Sequence, residues 1–126
     1  MLFTEHPPLE RPAAAAAAGF TLIESWWPPA GDLDGWVDAV RAAGVGVSAL
    51  NAERGFCNLP ERDADTFAAV RAALSLAERV ACPVINVLPG LVAPGRTDDA
   101  QIDHAVDVYR ACGRLAADAG RTIVIE

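Results

Sequence analysis

The chain contains no lysine; all ten of its basic residues are arginine. That absence excludes a Schiff-base lysine and a phosphate-cradling P-loop lysine from this polypeptide. No two cysteines stand in a CxxC spacing, and Cys57, Cys82 and Cys112 are odd in number and far apart. Neither a disulfide framework nor a zinc knuckle is expected from them, and they read as plain buried thiols. No apolar run approaches the roughly 20 residues of a membrane span. The opening residues lack the basic and hydrophobic regions of a signal peptide, so a cytoplasmic protein with no membrane partner is expected. Acidic residues number 17, and the net charge of −7 argues against nucleic acid as the main partner.

What is present is a repeated unit. The 126 residues, 52% of them hydrophobic and many of those alanine, suffice for one core. Five apolar runs alternate with four helix-like stretches. The runs cover residues 1–4, 20–24, 45–51, 84–88 and 121–126. An alanine-rich segment at 9–18 has high helix propensity and ends at Gly19. Asp32 or Asp34 is placed to cap a second helix with Leu33, Trp36, Val37 and Val40 on one face, closed by Gly44. A third helix, capped by Asp65, carries Phe67, Val70, Leu74, Ala77 and Ala81 inward, and Pro83 breaks it. Asp98 opens a fourth, with Ile102, Ala105, Val106, Tyr109 and Ala116 inward, and Gly120 ends it.

Three helix-to-strand joints share one pattern, Ala18-Gly19, Ala43-Gly44 and Ala119-Gly120. Short turns on that side and long loops on the other predict an α/β fold with parallel strands, part of a (β/α)₈ TIM barrel covering its first five strands and four helices. The rival is a doubly wound open sheet, but no G-x-G-x-x-G follows the first strand. A whole barrel needs about 250 residues. Residues 1–126 are therefore expected to be the N-terminal portion of one barrel domain, ending after the fifth strand.

Chemistry in such a barrel sits at the carboxyl ends of the strands. Glu5, Glu24, Asn51, Asn86 and Glu126 fall at or near those ends. Alternation along the last strand puts Thr122 and Val124 on the inner face with Glu126, and Ile123 and Ile125 toward the helices; Glu24 shares a face with Leu22 and Phe20. Converging carboxylates suit a hard divalent cation, or proton transfer beside a carbonyl. Each of them could equally be the polar start of a loop. His6 follows the first strand, either lining a pocket or exposed, and His104 lies beside Asp103 and Asp107 on a solvated helix face. Trp26 and Trp27 either wall a small-molecule site or cap the core. In the long loop between Asn51 and Asp65, Arg54 and Arg62 are the cations that could hold a substrate carboxylate, or else a pair of surface arginines.

Several stretches are similar to one family. The opening Met1-Leu-Phe-Thr-Glu5, Leu9-Glu10-Arg11, and Ala18-Gly19-Phe20 leading to Ile23-Glu24 resemble the hydroxypyruvate isomerases, which include the 2-oxo-tetronate isomerases. So do Arg54-Gly55, Leu59-Pro60 with Arg62, and Ile123-Val124-Ile125-Glu126. These enzymes belong to the xylose-isomerase-like sugar isomerase and epimerase barrels. The resemblance implies a single (β/α)₈ domain that interconverts hydroxypyruvate and tartronate semialdehyde, or a related pair, by an aldose–ketose type shift. It implies that Glu126 is both a metal ligand and one of two proton-shuttling carboxylates, with Mg²⁺ or Mn²⁺ as cofactor. The other ligands would lie on later strands. Glu5, Glu24, Arg54, Arg62 and Asn86 are the candidate substrate-binding residues, and a homo-oligomer is compatible with all of this.

Two other readings follow from the residues. Open sheet edges fit a non-catalytic half-barrel that dimerises or docks on a complementary half. A metal-dependent phosphodiesterase of the endonuclease IV type would share the barrel, but the acidic charge and missing histidine ligands count against it.

Overall fold

The computed structural model describes residues 3–27, 32–52 and 56–126. The alanine-rich segment forms α1 (Arg11–Ala17), with proline in its first turn, where a missing N–H costs nothing. Gly19 follows at φ +89°, a conformation that costs other residues dearly. β1 spans Leu22–Ser25. α2 (Leu33–Ala43) is capped by Asp32, whose carboxylate accepts the Gly35 N–H at 2.9 Å. β2 (Gly46–Asn51), a 3₁₀ turn (Pro60–Arg62) and α3 (Asp63–Arg79) come next. β3 (Val84–Asn86), α4 (Asp98–Asp118) and β4 (Thr122–Val124) complete the order. The strands form one sheet, β1-β2-β3-β4, with every pair parallel.

Sequence and structure differ at the first strand. Met1 and Leu2 lie outside the described residues. Phe3 sits at φ +59°, which no strand residue adopts, and the His6 N–H closes a turn onto its carbonyl at 3.1 Å. Among the described residues the sheet therefore has four strands, not five.

Three helices, α2, α3 and α4, pack on one face of the sheet. Val47, Leu50, Ile85 and Val87 meet Val37 and Val40 of α2, Val70 and Leu76 of α3, and Val108 and Cys112 of α4. Each fully buried aliphatic side chain there contributes about 1.5–3 kcal/mol. α2 turns in the expected residues; α3 and α4 bury Val70, Ala77 and Ala116 as expected but depart at other positions. Thr66 takes an inward place on α3 because its hydroxyl accepts the Phe56 N–H at 3.2 Å; Ala73 and Leu76 are buried while Phe67 and Leu74 are only half-buried. Asp65 is not the cap, since the 3₁₀ turn begun by Pro60 runs directly into the helix. Ala81, expected inward, lies past the helix end at φ +53° and is exposed.

On α4 a polar residue displaces an apolar one. The Gln101 carboxamide accepts the Ala93 N–H at 2.8 Å and an Asn58 N–H at 3.0 Å, so Gln101 is buried and Ile102 is 59% exposed. A buried amide is tolerated when it is hydrogen-bonded, and hydrophobic periodicity cannot register that.

A bulge shapes the other face of the sheet. Ile23 pairs with Val47, but Glu24 pairs with Ala49, leaving Ser48 as the extra residue. Its hydroxyl donates to the Ile23 carbonyl at 3.2 Å. Val47 and Leu50, three apart, consequently both point to the helices, while Ala49 and Asn51 line the open face. Gly46 permits close pairing with β1, because a Cβ there would fall 2.8 Å from Leu22 Cδ2.

Candidate functional site

The open face and the loops above it enclose a cavity of about 760 Å³, within the range of small-molecule pockets. Its polar floor is built by the strands. In register, Asn51 of β2 pairs with Asn86 of β3, and Asn86 with Val124 of β4. Parallel pairing thus sets two carboxamides side by side, and Glu126 follows Val124 by one inward step. Glu24 enters from β1.

One contact organises this floor. Asn86 Nδ2 donates to a Glu126 carboxylate oxygen at 2.6 Å. An ionised carboxylate only accepts hydrogen bonds, so the amide nitrogen must face it, and the Asn86 oxygen points elsewhere. That oxygen is buried without a partner among the described residues, on a side chain only 6% exposed.

The opposite wall is apolar. Phe3 and Phe20 meet edge to face, with ring centroids 6.3 Å apart. All three tryptophans of the chain, Trp26, Trp27 and Trp36, line the cavity. The cation among the lining residues is Arg11, at the start of α1. Trp36 and Arg11 were not anticipated as site residues; Trp36 reads as helix core, and Glu10-Arg11 carries no local signal of pocket lining.

The remaining candidates lie elsewhere. Glu5 is exposed in the turn before α1, 3.8 Å from the His6 imidazole, and does not line the cavity. Arg54 lies outside the described residues. Arg62 does not line the cavity either; it pairs with Asp65 at 2.5 Å and stacks 3.9 Å over the Phe56 ring. His104 is not on a solvated face but half-buried, its Nε2 2.8 Å from the Asp63 carboxylate of α3. The cysteines are buried free thiols. Burial pushes Cys57 and Cys82 upward and Cys112 up to about 11, so none is a thiolate at neutral pH. Burial, with Cys57 alongside, also raises Tyr109, whose hydroxyl donates to the Val87 carbonyl at 3.2 Å.

Among the described residues no three His, Cys, Asp or Glu side chains are grouped to hold a metal ion. None of their helices is long and apolar enough to cross a membrane. Four parallel strands, helices on one face, and polar groups at the strand carboxyl ends make up part of an α/β barrel wall. The family model described as xylose isomerase-like TIM barrel matches residues 12–126. The chain belongs to the xylose isomerase-like TIM barrel family.

Relatives within this TIM barrel family are isomerases by name. A protein from Streptomyces coelicolor, named provisionally as a hydroxypyruvate isomerase, is 36% identical over 137 residues, covering 93% of this chain and 49% of the relative. A 2-oxo-tetronate isomerase from Pectobacterium atrosepticum is 33% identical over 134 residues, covering 100% of this chain and 51% of the relative. The chain thus spans about half the length of these curated relatives. The structure titled as an AP endonuclease, family 2, from Brucella melitensis superposes with a TM-score of 0.87 at 24% identity, over 98% of this chain and 50% of that one. Metal-bound barrels are among the structural neighbours. One, from Mycobacterium smegmatis in complex with magnesium, has a TM-score of 0.73 at 14% identity, over 96% of this chain and 47% of that one.

Proposed function

We propose that this chain carries part of the active site of an isomerase that interconverts hydroxypyruvate and tartronate semialdehyde, or a related 2-oxo acid sugar pair. The observation that supports this most is the Asn86–Glu126 contact at the floor of a cavity that Glu24 also lines. The chemistry is an aldose–ketose shift between adjacent carbons. The Glu126 carboxylate removes the C3 proton of hydroxypyruvate, giving a cis-enediolate across C2 and C3. A carboxyl group returns the proton to C2, while the C3 hydroxyl proton moves to the C2 oxygen. The Asn86 amide holds Glu126 in place. Glu24 and Asn51 bind from the neighbouring strands.

Glu126 is also the one ligand this reading assigns to a divalent cation, Mg²⁺ or Mn²⁺. Such an ion takes about six oxygens in a set geometry, and the described residues do not make up that set. The test is turnover: the full-length gene product is expected to convert hydroxypyruvate or a related 2-oxo acid sugar. No conversion of any such acid contradicts the proposal.

One observation favours a second reading, a non-catalytic half-barrel that pairs with another copy. Val124 and Ile125, at the edge of the sheet, are 40% and 59% exposed, and an unpaired apolar edge invites strand addition. A monodisperse dimer of residues 1–126 in light scattering supports it; a monomer contradicts it.

A further inference from the structure

The ligand class proposed above carries a carboxylate, and the cavity carries two of its own, Glu24 and Glu126. Two like charges in one cleft repel an incoming anion unless a fixed cation offsets them. Sequence position suggested Arg54 or Arg62 for that role; Arg54 lies outside the described residues, and Arg62 does not line the cavity. Among the described residues, Arg11 is the basic residue that lines it.

Its backbone is anchored by its place in the fold. Arg11 opens α1, and Pro12, the next residue, is buried. Arg11 is itself only half-exposed, and its Nε–H donates to the His6 carbonyl at 3.1 Å, which fixes the plane of the guanidinium. A planar, always-charged group held beside an aromatic wall matches a carboxylate better than a mobile ammonium does. We infer that Arg11 binds the carboxylate of the substrate and selects acids over neutral hydroxyketones. This rests on the reading of the cavity as a hydroxy-carbonyl acid site.

Because every tryptophan lines the cavity, the three indole N–H resonances report binding directly in the 126-residue protein. The ligands are hydroxypyruvate and dihydroxyacetone, which differ only in a carboxylate replacing a hydroxymethyl group. The unaltered protein is expected to shift its indole resonances at lower concentrations of hydroxypyruvate. Arg11→Gln is expected to weaken hydroxypyruvate about tenfold or more and to leave dihydroxyacetone unchanged. Persistence of the preference in Arg11→Gln, or its loss in Arg62→Gln instead, overturns the inference and leaves the site reading standing. No indole shift with either ligand in the unaltered protein overturns both. Where Arg11→Gln loses spectral dispersion, the Arg11 Nε–H resonance of the unaltered protein decides. It must move with hydroxypyruvate and not with dihydroxyacetone, and a stationary resonance overturns the inference.

Discussion

Asn86 and Glu126 meet at 2.6 Å across the carboxyl ends of two adjacent parallel strands, the amide nitrogen of one facing the carboxylate of the other. Neither the residue types nor their separation of 40 positions announces the contact. It follows from register, because Asn86 is paired with Val124 and Glu126 lies one inward step beyond. The pair fixes the carboxylate and leaves one amide oxygen buried without a partner among the described residues.

Removing the donor should misplace the acid. In the full-length gene product, Asn86→Ala is expected to lower kcat on the order of 10²-fold, the scale at which small errors in position are felt. Asn86→Asp should do worse than Ala, because two carboxylates at that separation cannot both ionise. Steady-state kinetics on both variants checks the order.

The cap of α2 gives a test in the 126-residue chain. Asp32→Ala removes the acceptor for the Gly35 N–H and should cost about 1 kcal/mol in urea unfolding. Asp32→Asn, which keeps the acceptor, should stay within a few tenths of that unit.

The phases of α3 and α4 are open to the same measurement. Leu76, 2% exposed, should cost about 2–5 kcal/mol on truncation to alanine. Ile102→Gln, at a position 59% exposed, should change stability by no more than about 0.5 kcal/mol. Equal effects would mean that the helices present the faces their periodicity suggests.

The Gln101 network anchors the loop between β3 and α4. Gln101→Leu strands the Ala93 N–H and the Asn58 amide and should cost about 1–3 kcal/mol per group left unpaired. Limited proteolysis should then cut faster within residues 89–97.

Alkaline pH should loosen the core. Burial raises Cys112 from 9.0 to about 11 in the folded state, so the unfolded chain gives up this proton first. Between those values the unfolded state binds fewer protons and stability falls as pH rises. Below pH 9 this contribution is fully present. Urea midpoints measured from pH 8 to pH 11 should decline, and Cys112→Ala should flatten the decline.

Much of this fold was legible in the chain, for physical reasons. Alanine-glycine joints, the Asp32 cap and the apolar runs after residue 18 are local signals, and these produced the elements they imply. The inward places of Thr66 and Gln101 were not legible, because they rest on hydrogen bonds to partners 10 and 8 residues away in the loops. The Ser48 bulge depends on pairing with β1, which no single strand encodes. Glu24, Asn86 and Glu126 are candidates from their places at strand ends, and the structure gathers them around one cavity. Glu5 and Arg62 were placed by motif position, but a turn at Phe3 and an ion pair with Asp65 direct them elsewhere.

Most direct is the fate of hydrogen at the substrate carbon. With the full-length gene product in deuterated water, hydroxypyruvate recovered after partial turnover should carry deuterium at C3, and Glu126→Gln should abolish that incorporation together with isomerisation. Deuterium entering at an undiminished rate in Glu126→Gln would contradict the assignment of Glu126 as the group that moves the proton.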